Sequence, residues 1–200
     1  YNGTAQGPAS STVTGGSTGT VSYSYSGTGS TTYTASSTKP TNAGTYQVIA
    51  TVAADANYNS ASSAALAFTI GQASLTIMAN NQNKTYGSTQ STPVTGSTAF
   101  TSTGLVNSET IGSVTLTYGA GALTATATAG STSTITPSAP TGGSFNSANY
   151  SITYNNGTLT VTKAQITITA NNQTVCYGTP VATVTSAGSY SVSGLVSGDA

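Results

Sequence analysis

The 200-residue sequence contains no histidine, no arginine and a single cysteine. Without histidine, neither a Ser-His-Asp triad nor a histidine-based metal centre can be built. Without arginine, and with a formal net charge of zero, the chain offers no basic patch to nucleic acid. One cysteine excludes a disulfide framework within these residues. No apolar run reaches the roughly 18 residues of a transmembrane helix, so no membrane span is expected in this window. No signal peptide opens the sequence at Tyr1, as expected of a segment taken from within an array.

Charge is almost missing. Lys39, Lys84 and Lys163 are the only basic residues, and Asp55, Glu109 and Asp199 the only acidic ones. Charged residues make up 3% of the chain, against roughly 25% in an ordinary soluble domain. The three acids are 54 and 90 positions apart, so spacing alone makes no carboxylate pair of them. The glycines mark turns and form no phosphate-cradling motif. No catalytic residue, and hence no enzyme, is expected.

In place of charge there are 42 threonines and 30 serines. The surface must be wetted by hydroxyls and amides. It lacks the net charge that keeps proteins apart in solution, and suits an immobilised or assembled protein. Such a composition can signal disorder, but disordered chains lack aromatic and β-branched residues. Here twelve tyrosines sit within alternating runs.

Helix formers are scarce: seven leucines, one methionine, one glutamate. Valine, isoleucine, threonine and tyrosine dominate, with Gly, Asn and Ser between them, which is strand and turn chemistry. Period-two alternation is clear in four places. In 46–52, Tyr46, Val48, Ala50 and Val52 share a face. Val114, Leu116 and Tyr118 alternate with Thr115 and Thr117. Leu159 and Val161 alternate with Thr160 and Thr162, and Ile166 and Ile168 with Thr167 and Thr169. Each pattern predicts one buried and one wet face. Tyr150–Thr153–Tyr154, then Asn155-Asn156-Gly157, then Thr158–Val161 read as a β-hairpin, because Asn-Gly supplies the positive φ of a tight turn.

The chain repeats itself. Leu75-Thr76-Ile77 through Lys84-Thr85-Tyr86-Gly87 returns as Ile166-Thr167-Ile168 through Cys176-Tyr177-Gly178, and Tyr86 and Tyr177 are 91 positions apart. Gly104-Leu105-Val106 returns as Gly194-Leu195-Val196, 90 positions on. These offsets predict a module of about 90 residues whose second copy breaks off at Ala200, in a window of a longer tandem array. Three modules are expected: 1–71, related but different and truncated at its start; 74–162; and 165–200, the first part of a third. The linkers Gly71-Gln72-Ala73 and Thr162-Lys163-Ala164 are short enough to restrict the angle between neighbours, which predicts a semi-rigid rod.

Several of these residues carry a family resemblance. Thr85-Tyr86-Gly87 and Cys176-Tyr177-Gly178, Gly104–Glu109 and Gly194–Asp199, and the closing Asn149-Tyr150-Ser151-Ile152 with Asn156–Val161 resemble the MBG domain of the Tyr-Gly-X type. Tyr1-Asn2-Gly3-Thr4 and Asn42-Ala43-Gly44-Thr45-Tyr46 are similar to a sister MBG-type repeat. The resemblance covers nearly the whole chain. It implies tandem modules of a very large bacterial surface or secreted protein, as in the adhesins and appendage proteins exported by the type 9 system in Bacteroidetes. It carries over no catalytic residue. One departure is Cys176, which stands where the earlier copy has Thr85.

Cys176 has three readings: a small, partly buried residue on a strand, a disulfide to a cysteine outside this window, or an inter-chain disulfide. Asp55, Asn57, Glu109 and Asp199 are solvated loop residues on one reading and calcium ligands at inter-domain joints on the other. One acid per module falls short of the several carboxylates a calcium site uses. An isopeptide crosslink at Lys84 or Lys163 with Glu109 nearby is a further alternative with no geometry to fix it. Rows such as Thr124-Ala125-Thr126-Ala127-Thr128 and Thr158–Thr162 match ice-binding spacing, but a wet face of a twisted sheet explains them better. Tyr46, Tyr86, Tyr150, Tyr154 and Tyr177 are read as core or cross-strand packing before sugar stacking.

The predicted fold is all-β: tandem small antiparallel β-sandwich modules, Ig-like in the broad sense, with a β-grasp-like sheet as the alternative. The core should hold Tyr46, Val48, Ala50 and Val52 in the first module, and Leu75, Ile77, Tyr86, Ile152, Leu159 and Val161 in the second. Expected partners are the neighbouring repeats of the same chain, further copies in a homo-oligomer or filament, or a cell-surface glycan. No cofactor is expected, calcium being the exception named above, and the expected location is secreted or at the cell surface.

Overall fold

The computed structural model describes residues 1–174, 176–178 and 190–199. The chain is all-β. Its strands are β1 (Val21–Gly27), β2 (Gly44–Val52), β3 (Ala61–Ser62), β4 (Leu66–Ile70), β5 (Ala73–Ala79), β6 (Gln82–Thr85), β7 (Val94–Ser97), β8 (Phe100–Thr103), β9 (Ile111–Tyr118), β10 (Thr132–Gly143), β11 (Tyr150–Asn155), β12 (Gly157–Thr162), β13 (Thr167–Ala170) and β14 (Tyr190–Ser193). Among the described residues, single-turn 3-10 segments at Ala120–Ala122 and Ser147–Asn149 interrupt the loops. The chain groups into two compact units. One holds Tyr1–Ile77, Thr101–Val114 and Ala139–Tyr154; the other holds Met78–Phe100, Thr115–Ser138 and Asn155–Ala200.

In the first unit, β2 is the centre of a four-stranded sheet. It pairs antiparallel with β1, β3 and β4, and Tyr25 lies opposite Val48. Tyr46 and Val48 are buried as predicted, while Ala50 and Val52 are only half-buried, further along the strand. The core here is aromatic. Phe68 stacks on Tyr46 with centroids 5.5 Å apart and meets Tyr25 edge-on at 6.3 Å. The buried hydroxyls are satisfied: Tyr25 donates to the Pro8 carbonyl at 2.6 Å and Tyr46 to the Asn42 carbonyl at 2.9 Å. A buried tyrosine is stable in this way, its ring in the core and its hydroxyl on a backbone acceptor.

From β5 onward the strands form a five-stranded sheet, β6-β12-β10-β9-β7, and a three-stranded sheet, β11-β5-β8. The alternations at β5, β9 and β12 resolve as predicted. Leu75 and Ile77, then Val114, Leu116 and Tyr118, then Leu159 and Val161 are all buried, with threonines between them outward. Apolar inner faces on both sheets are consistent with a β-sandwich. Each fully buried leucine or isoleucine stabilises by about 2 kcal/mol. Ile152 and Tyr86 are only half-buried, and Tyr118 and Ile135 belong to the core as well.

Three local expectations are corrected. First, β11 and β12 are not a hairpin: they lie in different sheets, and the chain passes between them at Asn156. Gly157 has no positive φ. It is small because a Cβ there would lie 2.5 Å from the Ala79 carbonyl oxygen. Second, β12 runs parallel to β6, with Leu159 opposite Gln82 and Val161 opposite Lys84. This pair departs from the antiparallel expectation. Third, Thr124–Thr128 lies in a loop and presents no flat strand face.

In the third copy, β13 pairs with β14 as a two-stranded ribbon. The Ile166/Ile168 face expected to be buried is 53% and 64% exposed. A two-stranded ribbon supplies no opposing layer among the described residues, unlike that over Leu75 and Ile77 in the preceding copy.

Candidate functional site

The segment Gly104–Glu109 is a turn in which Glu109 N–H donates to the Val106 carbonyl at 3.0 Å. Gly104 (φ +108°) opens it, and Asn107 and Ser108 (both φ +57°) take left-handed conformations. The turn aims the Glu109 carboxylate at two phenols. Tyr150 donates to Oε2 at 2.8 Å, and Tyr1 donates to Oε1. Val106 N–H in turn donates to the Tyr150 hydroxyl oxygen at 3.0 Å. The two rings meet edge-on, centroids 5.5 Å apart.

The electrostatics follow from that contact. The hydrogen bond to Glu109, helped by burial and by the carboxylate charge, pushes the Tyr1 phenol up to about 12. Burial first, and Glu109 second among the raising effects, pushes Tyr150 upward. A phenol whose anion would face a carboxylate stays protonated and remains a donor.

Around this centre, within the same compact unit, further contacts join residues distant in sequence. Asn107 Nδ2 donates to the Gly3 carbonyl at 3.1 Å. Gly3 has φ +74°, and a Cβ on it would lie 2.7 Å from the Asn107 side chain. The buried Asn149 accepts from Ala43 N–H at 2.9 Å and donates from Nδ2 to Asn42 Oδ1 at 3.1 Å. Gln72 Nε2 donates to the Ala148 carbonyl at 3.0 Å.

The same construction appears one repeat later. In Gly194–Asp199, Asp199 N–H donates to the Val196 carbonyl at 3.0 Å. Tyr86 donates to Asp199 Oδ1 at 3.0 Å, which pushes the Tyr86 phenol upward. Gly87 (φ +90°) stands against the turn, where a Cβ would lie 2.5 Å from Val196 Cγ2. In both joints a tyrosine hydroxyl binds the acid closing a Gly-Leu-Val-x-x-acid turn, and a left-handed glycine next to it lets the backbones approach. The spacing differs: Tyr-x-Gly in the first joint, Tyr-Gly in the second.

The other candidate residues fall as follows. Asp55 is fully engaged in its own loop. It accepts from Asn57 N–H at 2.8 Å, Thr18 N–H at 2.7 Å, Ser17 Oγ at 2.8 Å and Tyr58 N–H at 2.9 Å. These donors, the Asn57 amide foremost, hold its carboxyl well below the usual range. Among the described residues, no three His, Cys, Asp or Glu side chains come together in a metal-binding group. Lys84 is buried, with Nζ donating to the Ser88 carbonyl at 2.7 Å and the Thr124 carbonyl at 2.6 Å. Lys163 is exposed. Cys176 is exposed and lies outside any strand, not partly buried on one. Tyr46 and Tyr150 are core residues, Tyr154 is 39% exposed and Tyr177 wholly exposed.

The acceptor role of Glu109 and Asp199 was not read from the sequence. The signal was there: two of only three acids close the same landmark, 90 positions apart.

Fold and contacts define a class: an all-β chain with a repeated sequence pattern and a recurring tyrosine–carboxylate contact. Residues 75–160 match the family described as the MBG domain, YGX type, as the resemblance implied. No curated protein and no solved structure matches the chain. Among the described residues, no helix is long and apolar enough to cross a membrane.

Proposed function

We propose that the chain is a structural repeat segment of a very large extracellular bacterial adhesin or appendage, acting as a stalk or spacer whose uncharged flanks also allow self-assembly. It performs no catalysis. The observation that carries this reading is the repetition of one joint. Tyr1–Glu109 and Tyr86–Asp199 are the same donor–acceptor pair at successive copies. A repeated joint fixes successive modules in one manner, which is what a spacer requires. The MBG match at 75–160 supports the surface-protein setting. Light scattering combined with small-angle X-ray scattering, with and without reductant, tests it. An elongated monomer is the result expected of a stalk. An open-ended oligomer supports assembly through the uncharged flanks, and its dissolution by reductant would assign the inter-chain bond to Cys176. A compact monomer would overturn both readings.

A cleft of about 570 Å³ favours a second reading, glycan recognition. It is lined by Tyr33, Asn42, Thr45, Gln72 and Asn146 and by no charged side chain. Amides, hydroxyls and an aromatic edge are the groups that neutral sugars engage. Binding on a glycan array that Tyr33→Ala abolishes supports this reading, and a blank array removes it.

A further inference from the structure

We infer that Tyr177 and Gly178 form the donor half of a third joint, and that their occupant is the Gly-Leu-Val-x-x-acid turn of a further copy of this module. The inference rests on the repeat-joint reading above. Tyr177 is the 91-residue counterpart of Tyr86, and Gly178 that of Gly87. The backbone is already set. Gly178 has φ +85°, alongside +90° at Gly87 and +74° at Gly3.

The difference lies in what surrounds these residues. A Cβ at Gly3 would meet Asn107 at 2.7 Å, and one at Gly87 would meet Val196 at 2.5 Å. Among the described residues, a Cβ at Gly178 would meet nothing within 4 Å. Tyr1 and Tyr86 are half-buried in their joints, whereas the Tyr177 ring is wholly exposed. A large aromatic ring in water beside a left-handed glycine is the donor side of the joint with its acceptor side missing. The two seated turns say what that acceptor must offer. It needs a carboxylate, Glu or Asp, within reach of the phenol, on a turn opened by a left-handed glycine such as Gly104 or Gly194. Both turns within this chain already hold a tyrosine, so the occupant comes from another copy.

The test is an extended array. Residues 1–199 are continued by a second copy of residues 110–200, which completes the third module and adds a new Gly194–Asp199 turn after it. Hydroxyl-radical footprinting then reads the reactivity of Tyr86 and of the first Tyr177, resolved by its own peptide from the Tyr177 of the added copy, in the 200-residue chain and in the extended one. The expected result is that Tyr177 loses its excess reactivity over Tyr86 on extension. Gly178→Ala should restore that reactivity in the extended array while leaving Tyr86 protected. If Tyr86 stays protected and Tyr177 reacts equally in both chains, the third joint is overturned and the repeat-joint reading stands. If Tyr86 is as reactive as exposed Tyr177 in the 200-residue chain itself, the repeat-joint reading falls, and this inference with it.

Discussion

Gly104 and Gly194 stand 90 positions apart and make the same backbone contact. A Cβ on Gly104 would lie 2.2 Å from the Ser74 carbonyl oxygen, and one on Gly194 would lie 2.2 Å from that of Gln165. Ser74 and Gln165 are themselves 91 positions apart. Both glycines have positive φ, +108° and +88°. The repeat is therefore preserved at the level of individual atoms where the acid-bearing turn leaves the sheet.

Gly104→Ala should be severely destabilising. The side chain would collide with backbone that cannot swing away, in a conformation that L-residues disfavour. The combined cost is about 3 kcal/mol or more. Gly96→Ala is the control: its φ is +69°, but nothing among the described residues lies within 4 Å of the added carbon. That variant bears only the left-handed strain of about 1 kcal/mol. Urea unfolding of both variants separates collision from strain. Equal losses would show that the Ser74 contact yields.

Glu109→Gln should lower the Tyr1 phenol from about 12 toward its ordinary 10.0, because the hydrogen bond to the carboxylate is the largest cause of the shift. The linkage sign follows. Tyr1 binds its proton more tightly folded than unfolded, so its contribution to stability is full below pH 10.0 and is lost as pH rises toward about 12. A phenolate absorbance titration of wild type minus Tyr1→Phe isolates this group. The wild-type difference curve should have its midpoint near 12, and Glu109→Gln should move it down. An unmoved midpoint would show that Glu109 does not hold the phenol.

How much of this was legible in sequence depends on the range of the interaction. Faces such as Leu75/Ile77 and Val114/Leu116/Tyr118 were readable, because alternation is a local consequence of strand geometry. The repeat was readable from self-similarity alone. The parallel pairing of β12 with β6 was not, since it joins Leu159 to Gln82 across most of a module with no turn to announce it. Asn155-Asn156-Gly157 misled for a related reason. Its glycine meets a need for space against the Ala79 carbonyl, and sequence cannot distinguish that from a need for positive φ. The joints were half-visible. Glu109 and Asp199 lay in the repeated landmark, but their tyrosine partners are 108 and 113 positions away.

Asp55 should act as the clasp of its loop. Its carboxyl is held below the usual value by backbone and hydroxyl donors, with the Asn57 amide foremost. A depressed folded pKa contributes stability above the unfolded value of 3.8 and loses it as pH falls through the folded value. The amides of Thr18, Asn57 and Tyr58 should therefore exchange faster in acid than their neighbours. Asp55→Ala should reproduce that loss at neutral pH. Unchanged exchange at all three amides would show that the loop holds its shape without the carboxylate.

Lys84 is the one buried cation among the described residues, and the most informative charge to remove. Its Nζ donates to the carbonyls of Ser88 and Thr124, residues 40 or fewer positions away, and ties the start of one loop to another. Lys84→Met keeps the aliphatic stem but leaves both carbonyls without that donor. Hydrogen bonds from a charged group are worth more than neutral ones. The expected loss is about 2–3 kcal/mol. Lys163→Met, at an exposed position, should change stability by less than about 0.5 kcal/mol. Chemical denaturation of the pair decides it. If Lys84→Met were as stable as the wild type, hydrophobic replacement would have offset the lost hydrogen bonds, as happens for some buried ion pairs. The lysine would then be serving the shape of the loop without adding to its stability.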